Sequence, residues 1–213
     1  MKNFLTKQLI IFILLVSALL LVICSAKISN GKVHAKNNLK TYFPVNSDRK
    51  LQFSGHGNEF ASFTRTVKFR KDNLIQIHED NGGTIVAKIY QVCKNKVLLL
   101  KEVPEFYNNK NLLHKSSNNY NKQEIILKKP LEVGTTWQNK QQRRKIVKVN
   151  QTVKVPAGQF DNVIKIKIVT NKQGNQFKRY EYYAKGLGLI KQESINQNYE
   201  IVAKLSSYEK QRN

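Results

Sequence analysis

NEFASFTRTVKFRKDNLIQIHED, residues 58–80, spells out a β-hairpin. One run extends from Asn58 to Arg70, the next from Leu74 to Asp80, and Lys71-Asp72-Asn73 joins them. Pairing Arg70 with Leu74 sets Phe69 opposite Ile75, Val67 opposite Ile77 and Arg65 opposite Glu79. The two-residue period of a strand then sends all six side chains to one face. Two apolar pairs and one opposite-charge pair coincide, each contributing about 0.2–1 kcal/mol.

The same grammar continues downstream. Asn81-Gly82-Gly83 is a strong turn signal before Thr84 to Cys93, and Lys94-Asn95-Lys96 turns that run into Val97 to Val103. Residues 106–122 (FYNNKNLLHKSSNNYNK) are dense in Asn, Lys and Ser and read as a long, flexible, exposed loop. Glu124 to Leu127 resumes as a strand, and Gly134 marks a turn before Trp137. Between Arg143 and Val155 the pattern puts Val147, Val149, Val153 and Val155 on one face. Ile164, Ile166 and Ile168 alternate with Lys165 and Lys167, and three further runs follow, Gln176 to Ala184, Gly188 to Ile195 and Tyr199 to Tyr208. No segment past residue 26 carries a helical apolar stripe. The expectation is an all-β domain over 42–209: a single antiparallel meander of about ten strands. So many hairpins leave bare edges unless the sheet curls, so an open or partly closed barrel is expected.

Upstream lies an export signal. Lys2 and Lys7 precede the apolar run Leu9 to Cys24, broken only by Ser17, with small residues Ser25 and Ala26 behind it. Residues 1–26 thus read as a signal peptide or a membrane-anchor helix. Cleavage after Ala26, retention as an anchor and lipidation of Cys24 are the three fates, and Ile23 before the cysteine departs from the usual lipoprotein pattern. Residues 27–41 read as a basic tether. The expected location is outside the cytoplasm, secreted or held at the extracellular face of the plasma membrane.

The chain carries 37 basic and 14 acidic residues, a formal net charge of +23. Such an excess suits an anionic partner, such as phospholipid headgroups or a wall polymer. Compositional drift towards Lys and Asn explains it equally well, because the lysines are spread over nearly every strand. One cluster stands out, Lys140, Arg143, Arg144, Lys145 and Lys148. Read as one exposed hairpin tip, it is the candidate contact for anionic headgroups or wall phosphate. Nucleic acid is not expected, since export removes the target and no stacking motif interleaves the charges.

Cys93 sits on an apolar strand with no partner beyond the signal, and is expected to be free and largely buried. His34, His56, His78 and His114 are dispersed, and His78, Glu79 and Asp80 alternate faces, so no metal site is expected. No nucleophile elbow or phosphate loop is present, scarcity of acids argues against paired catalytic carboxylates, and no cofactor is implied.

Several stretches together resemble a family. They are Tyr42-Phe43-Pro44, Gly55-His56-Gly57-Asn58-Glu59-Phe60-Ala61, Pro130 to Trp137, Val155-Pro156-Ala157-Gly158-Gln159-Phe160 and Tyr182 to Lys191. The set is similar to an uncharacterised family of exported or lipid-anchored all-β proteins of Gram-positive bacteria. The resemblance implies fold and location, and no activity. Where the family pattern has an aromatic before Gly-x-Gly-Asn-Glu, this chain has Leu51, which would alter any pocket lined there. Structural roles are expected for the motif residues, with Trp137 a core anchor and the glycines turn formers.

The leading expectation is therefore a non-catalytic cell-envelope module that binds a small apolar ligand, a lipid or a protein partner in a concave sheet face. The second is a structural or adhesion protein contacting anionic membrane or wall polymer through its basic surface, and the third an enzyme. A cavity lined by Phe and Tyr would favour the first, and converging acids or histidines the third.

Overall fold

Between Thr64 and Val67 the first hairpin has the register read from its sequence: Arg65 lies opposite Glu79 and Val67 opposite Ile77. Beyond Val67 the register shifts, and Phe69 faces Gln76 rather than Ile75. The turn is the cause. Lys71 pairs with Leu74, leaving the two-residue loop Asp72-Asn73, with Asp72 at φ 55°. A tight loop with positive φ matches the strand twist, and the residue it frees is taken up as a β-bulge at Lys68. The bulge turns Phe69 away from the face that holds Val67, Ile75 and Ile77.

The computed structural model describes residues 38–43, 49–113, 120, 123–172, 175–195 and 199–210. The apolar run Leu9–Cys24 and most of the tether lie outside the described residues. Among those described, no helix is long and apolar enough to cross a membrane. The tether's last residues, from Asn38 on, already belong to the folded unit. Asn38 caps a single helical turn, α1 (Leu39–Tyr42), accepting from the Lys40 N–H at 3.1 Å. Leu39, Tyr42 and Phe43 are buried in the main core.

Twelve strands follow, two more than the pattern suggested, all in one sheet. They are β1 (Arg49–His56), β2 (Phe63–Lys71), β3 (Leu74–Asp80), β4 (Ile85–Val92), β5 (Lys96–Val103) and β6 (Glu124–Lys128). Then come β7 (Thr136–Gln138), β8 (Gln142–Val155), β9 (Gly158–Lys172), β10 (Asn175–Ala184), β11 (Gly188–Ile195) and β12 (Glu200–Lys210). The order is β6-β5-β4-β3-β2-β1-β12-β11-β10-β9-β8-β7. The meander is thus closed through its ends: β1 pairs with β12 from Arg49/Lys210 to His56/Val202. The gap falls between β6 and β7, and the sheet forms a nearly closed barrel.

Side chains sew that gap. The Asn139 amide treats Ile125 as a strand would, accepting from its N–H at 2.9 Å and donating to its carbonyl at 3.0 Å. The Trp137 indole N–H donates to the same carbonyl at 2.8 Å, and the Arg144 guanidinium reaches the Ile126 carbonyl. Trp137 is buried in the core, as its sequence context implied. Gly57 is required where β1 ends: its φ is 85°, and a Cβ there would lie 2.0 Å from the Glu200 carbonyl oxygen.

Two apolar clusters hold the barrel. The larger gathers alternating residues such as Ile75, Ile77, Val97, Leu99, Ile146, Ile164, Ile166, Ile168 and Leu205. The smaller lies on the opposite face of β3–β5 and contains Ala87, Ile89, Leu98 and Leu100, with Phe69 and Leu74 packed against it. It is covered by Phe106, Leu112 and Leu113. The segment read as an exposed loop is therefore partly a cover. Tyr107 to Asn111 are exposed, but three apolar residues are buried, each such burial contributing about 1.5–3 kcal/mol. Gln76, wholly buried, pins the cover by accepting from the Leu112 N–H at 2.8 Å and donating to the Lys110 carbonyl at 3.1 Å. Residues 114–119 and 121–122 of that loop lie outside the described residues. Cys93 is free but only half-buried, at the edge of this smaller cluster.

Candidate functional site

The barrel wall is apolar over most of its inner surface, but one region is charged. Arg65 on β2 faces inward opposite Glu79 on β3, and Lys88 on β4 lies opposite Glu102 on β5. Across the barrel, Arg144 on β8 and Arg179 on β10 are both opposite the core residue Ile168 of β9, so the three form one inward row. Glu181 and Tyr183 follow Arg179 on the same face of β10 by the period of two. These residues, with Glu124, Tyr90 and neighbours, surround a chamber of about 190 Å³. Four cations (Arg65, Lys88, Arg144, Arg179) meet four carboxylates (Glu79, Glu102, Glu124, Glu181), so the lining is formally neutral in a chain of net charge +23.

Two ion-pair groups organise it. Glu181 accepts from Arg144 Nη1 at 3.1 Å and from the Tyr183 hydroxyl at 2.9 Å, and forms an ion pair with Arg179 Nη2 at 3.0 Å. Glu79 accepts from Lys88 Nζ at 2.5 Å and has Arg65 Nε at 3.6 Å, while Lys88 also lies 3.6 Å from Glu102. The Arg65 guanidinium is held over the rings of Tyr90 and Phe43, 5.6 and 5.7 Å from their centroids.

The protonation states follow from these contacts. Burial opposes the charge on Glu181, but Arg144, then Arg179 and the bonds from Tyr183 and Arg144, outweigh it and hold the pKa down to about 2. Burial likewise opposes the charge on Glu79, and Lys88 and Arg65 outweigh it, so its pKa is lowered. Burial works against the Lys88 ammonium too, yet Glu79 and its neighbours raise its pKa. Burial pushes Tyr90 and Tyr183 up, the latter aided by Glu181. The Glu79 and Glu181 carboxylates are ionised at neutral pH and the tyrosines protonated. The Nε–H groups of Arg144 and Arg179 are buried without a partner.

The five cationic residues proposed from sequence do not share a surface. Lys140, Arg143, Lys145 and Lys148 are exposed, but Arg144 is 1% exposed and points into the chamber. The reason is parity. Arg144 and Ile146 face inward together, and a register shift between Ile146 and Lys148 then lets the odd-numbered Val149, Val153 and Val155 pack on the core as expected. The hairpin tip is shorter than the expected residues 140–144: β8 already begins at Gln142, so Arg144 is a strand residue with an inward side chain. Lys88, Arg179 and Glu181 were not singled out at all. The available signal was Arg179 and Glu181 at alternate positions beside Tyr183 on a strand. Among the described residues no group of three His, Cys, Asp or Glu is placed to hold a metal.

Residues 102–208 match the DUF3108-like family model. That span is half of the chain, and it contains Arg144, Arg179 and Glu181. The chain belongs to the DUF3108-like family. This DUF3108-like chain has no match among curated proteins. Among solved structures it is similar to a protein of Bacteroides fragilis NCTC 9343 described as exported, with a YmcC-like fold. Identity is 12%, coverage 78% of this chain and 98% of that one, and the TM-score 0.47. A protein of Parabacteroides distasonis ATCC 8503 described as a lipoprotein is comparable, at 15% identity, 79% and 98% coverage and a TM-score of 0.45. The membership bears out an uncharacterised family, while the Gram-positive ascription finds no support among these neighbours.

Proposed function

We propose that this chain is an exported, non-catalytic envelope module whose barrel holds a small polar ligand in the charged chamber. The observation that carries this reading is the charged lining of the chamber, four cations and four carboxylates around about 190 Å³. Such a lining offers both donors and acceptors to a small polar group. The volume corresponds to about six waters at ~30 Å³ each, which suits a small group rather than a drug-sized one. An apolar ligand fits less well. The apolar cleft beside Phe43, Leu51 and Leu187 has only about 40 Å³, little more than one water. Export is supported by the apolar run behind Lys2 and Lys7. A non-catalytic role is supported by ionisation: Glu79 and Glu181 are locked in charged form by cations, and no chamber group with a shifted pKa is brought near 7.

Native mass spectrometry of protein purified from its own envelope tests the reading. A polar adduct should be retained by the wild type and lost from Arg179→Gln, whose side chain is 39% exposed and tolerant of change. A bare protein, a lipid adduct, or a polar adduct indifferent to Arg179→Gln would overturn it.

A further inference from the structure

The lysines that are dispersed in the sequence are gathered by the strand registers. Lys148 on β8 lies opposite Lys165 on β9, Lys165 opposite Tyr182 on β10, Tyr182 opposite Lys191 on β11, and Lys191 opposite Lys204 on β12. Directly opposed residues of antiparallel strands share a face, so these five form one row across five strands. A second row runs beside it, Lys145 opposite Lys167, Lys167 opposite Tyr180 and Tyr180 opposite Glu193. Lys165 and Lys167 alternate with the core residues Ile164, Ile166 and Ile168, which puts the lysines on the outer wall, half-buried except for the exposed Lys145 and Lys148, with Tyr182 buried beneath them.

Three like-charge pairs thus sit directly opposed on one patch: Lys145/Lys167, Lys148/Lys165 and Lys191/Lys204. Opposed like charges destabilise a sheet. The Lys96/Lys128 pair on β5 and β6 is isolated by comparison. Of the six lysines, only Lys191 has an ion pair among the described residues, with Glu193. The two tyrosines hold the charges in place. Lys165 Nζ lies 4.2 Å from the Tyr180 ring centroid and 4.9 Å from that of Tyr182, and Lys191 Nζ lies 5.0 Å from Tyr182. The Tyr182 hydroxyl is itself fixed by donating to Glu193 at 2.6 Å. Burial, then the nearby Lys148 and Lys191, lower the Lys165 pKa despite Glu193.

We infer that this lysine–tyrosine track is a docking site for a linear, flexible polyanion carrying phosphate along its backbone. The track contains lysines and no arginine. Compact ammonium groups with rotating donors suit phosphate as a point charge, whereas carboxylates are matched by the planar arginine fork. Four strand spacings make the first row about 19 Å long. It runs around the barrel rather than along it, so over four steps of a twelve-stranded ring it turns through roughly 120°. A flexible chain follows such a curve, and a flat bilayer meets only part of it. This inference is independent of the chamber, which opens no lysine of the track to its lumen.

The test is binding of the full chain to a fluorescent inorganic polyphosphate chain, with two matched triple variants. Lys145→Gln, Lys148→Gln and Lys204→Gln together remove one member of each opposed pair and leave the lysines over the tyrosines. Lys68→Gln, Lys94→Gln and Lys110→Gln remove the same charge from exposed positions elsewhere. The track variant should bind about tenfold more weakly or worse, with its log–log salt slope reduced by about three, while the control stays near wild type. The track variant should also unfold at a higher temperature than wild type, which separates loss of binding from loss of fold. Equal losses from both triples would show that net charge alone drives adhesion. Track-dependent binding to anionic phosphatidylglycerol vesicles without binding to polyphosphate would assign the surface to a membrane. Either result overturns the inference.

Discussion

Glu181 draws two arginines and a tyrosine to one buried carboxylate, and its energetic weight depends on pH in a definite direction. The folded pKa, about 2, lies below the ordinary 4.5. A depressed pKa contributes stability that is complete above the unfolded value and is lost as pH falls through the folded one. The contribution is on the order of 3 kcal/mol, present at neutral pH and declining between about pH 5 and pH 2. Glu181→Gln should therefore lower the urea midpoint at pH 7 and flatten the acid limb of a midpoint-against-pH plot. An acid limb as steep in the variant as in the wild type would refute the assignment. Lys88, Arg65 and Glu79 form a second, separately anchored group, so a smaller acid dependence should persist in the variant.

At the scale of elements, the seam between β6 and β7 is where the barrel is thinnest. β7 has three residues, and the bonds across the seam come from side chains. Asn139→Ala should leave the Ile125 N–H without its acceptor and cost about 1–3 kcal/mol. Amide exchange at Ile125 should accelerate while exchange at core positions such as Ile166 follows only the global change. Uniform acceleration would mean that the seam is not a separate weak point. The elements also mark what could be read in advance. Strands whose parity runs unbroken, such as Ile164 to Ile168, were legible, and so was the start of the first hairpin. Errors arose at bulges. One extra residue at Lys68 moved Phe69 to the outer cluster, and one near Val147 changes the parity between Ile146 and Val149. Each bulge preserves the local apolar pattern on both sides of itself, so periodicity alone does not reveal it. The chamber and the lysine track were illegible for a different reason. Both are made by residues from five or more strands, and their registers are set by long-range pairing that no window of sequence contains.

The β domain is a ring cut at one place by its own chain. Neighbours in sequence are neighbours in the sheet throughout, except that the cut between first and last strand is healed by pairing and the opening lies halfway round. The healed joint brings together residues far apart in the chain: the Ser207 hydroxyl donates to the Gln52 side-chain oxygen across 155 positions. Contacts of such separation must wait for the intervening chain, and proteins dominated by them fold slowly. A permutant joining the chain ends through a flexible linker, and opening at the turn between Lys129 and Glu132, converts the joint into a local one. It should refold several-fold faster than the natural order at similar stability, as stopped-flow fluorescence of Trp137 would report. An unchanged rate would place the slow step elsewhere.

That joint also makes completeness a condition of safety. A chain interrupted before β12 keeps eleven strands but presents β1 and β11 as bare ladders on either side of the vacancy, each able to capture another polypeptide. Loss of the last few residues of β12 would be tolerated, because the pairing with β1 begins at Val202 and is eight residues long on the β1 side. Loss of the strand would not yield a smaller barrel. It would yield a self-associating fragment.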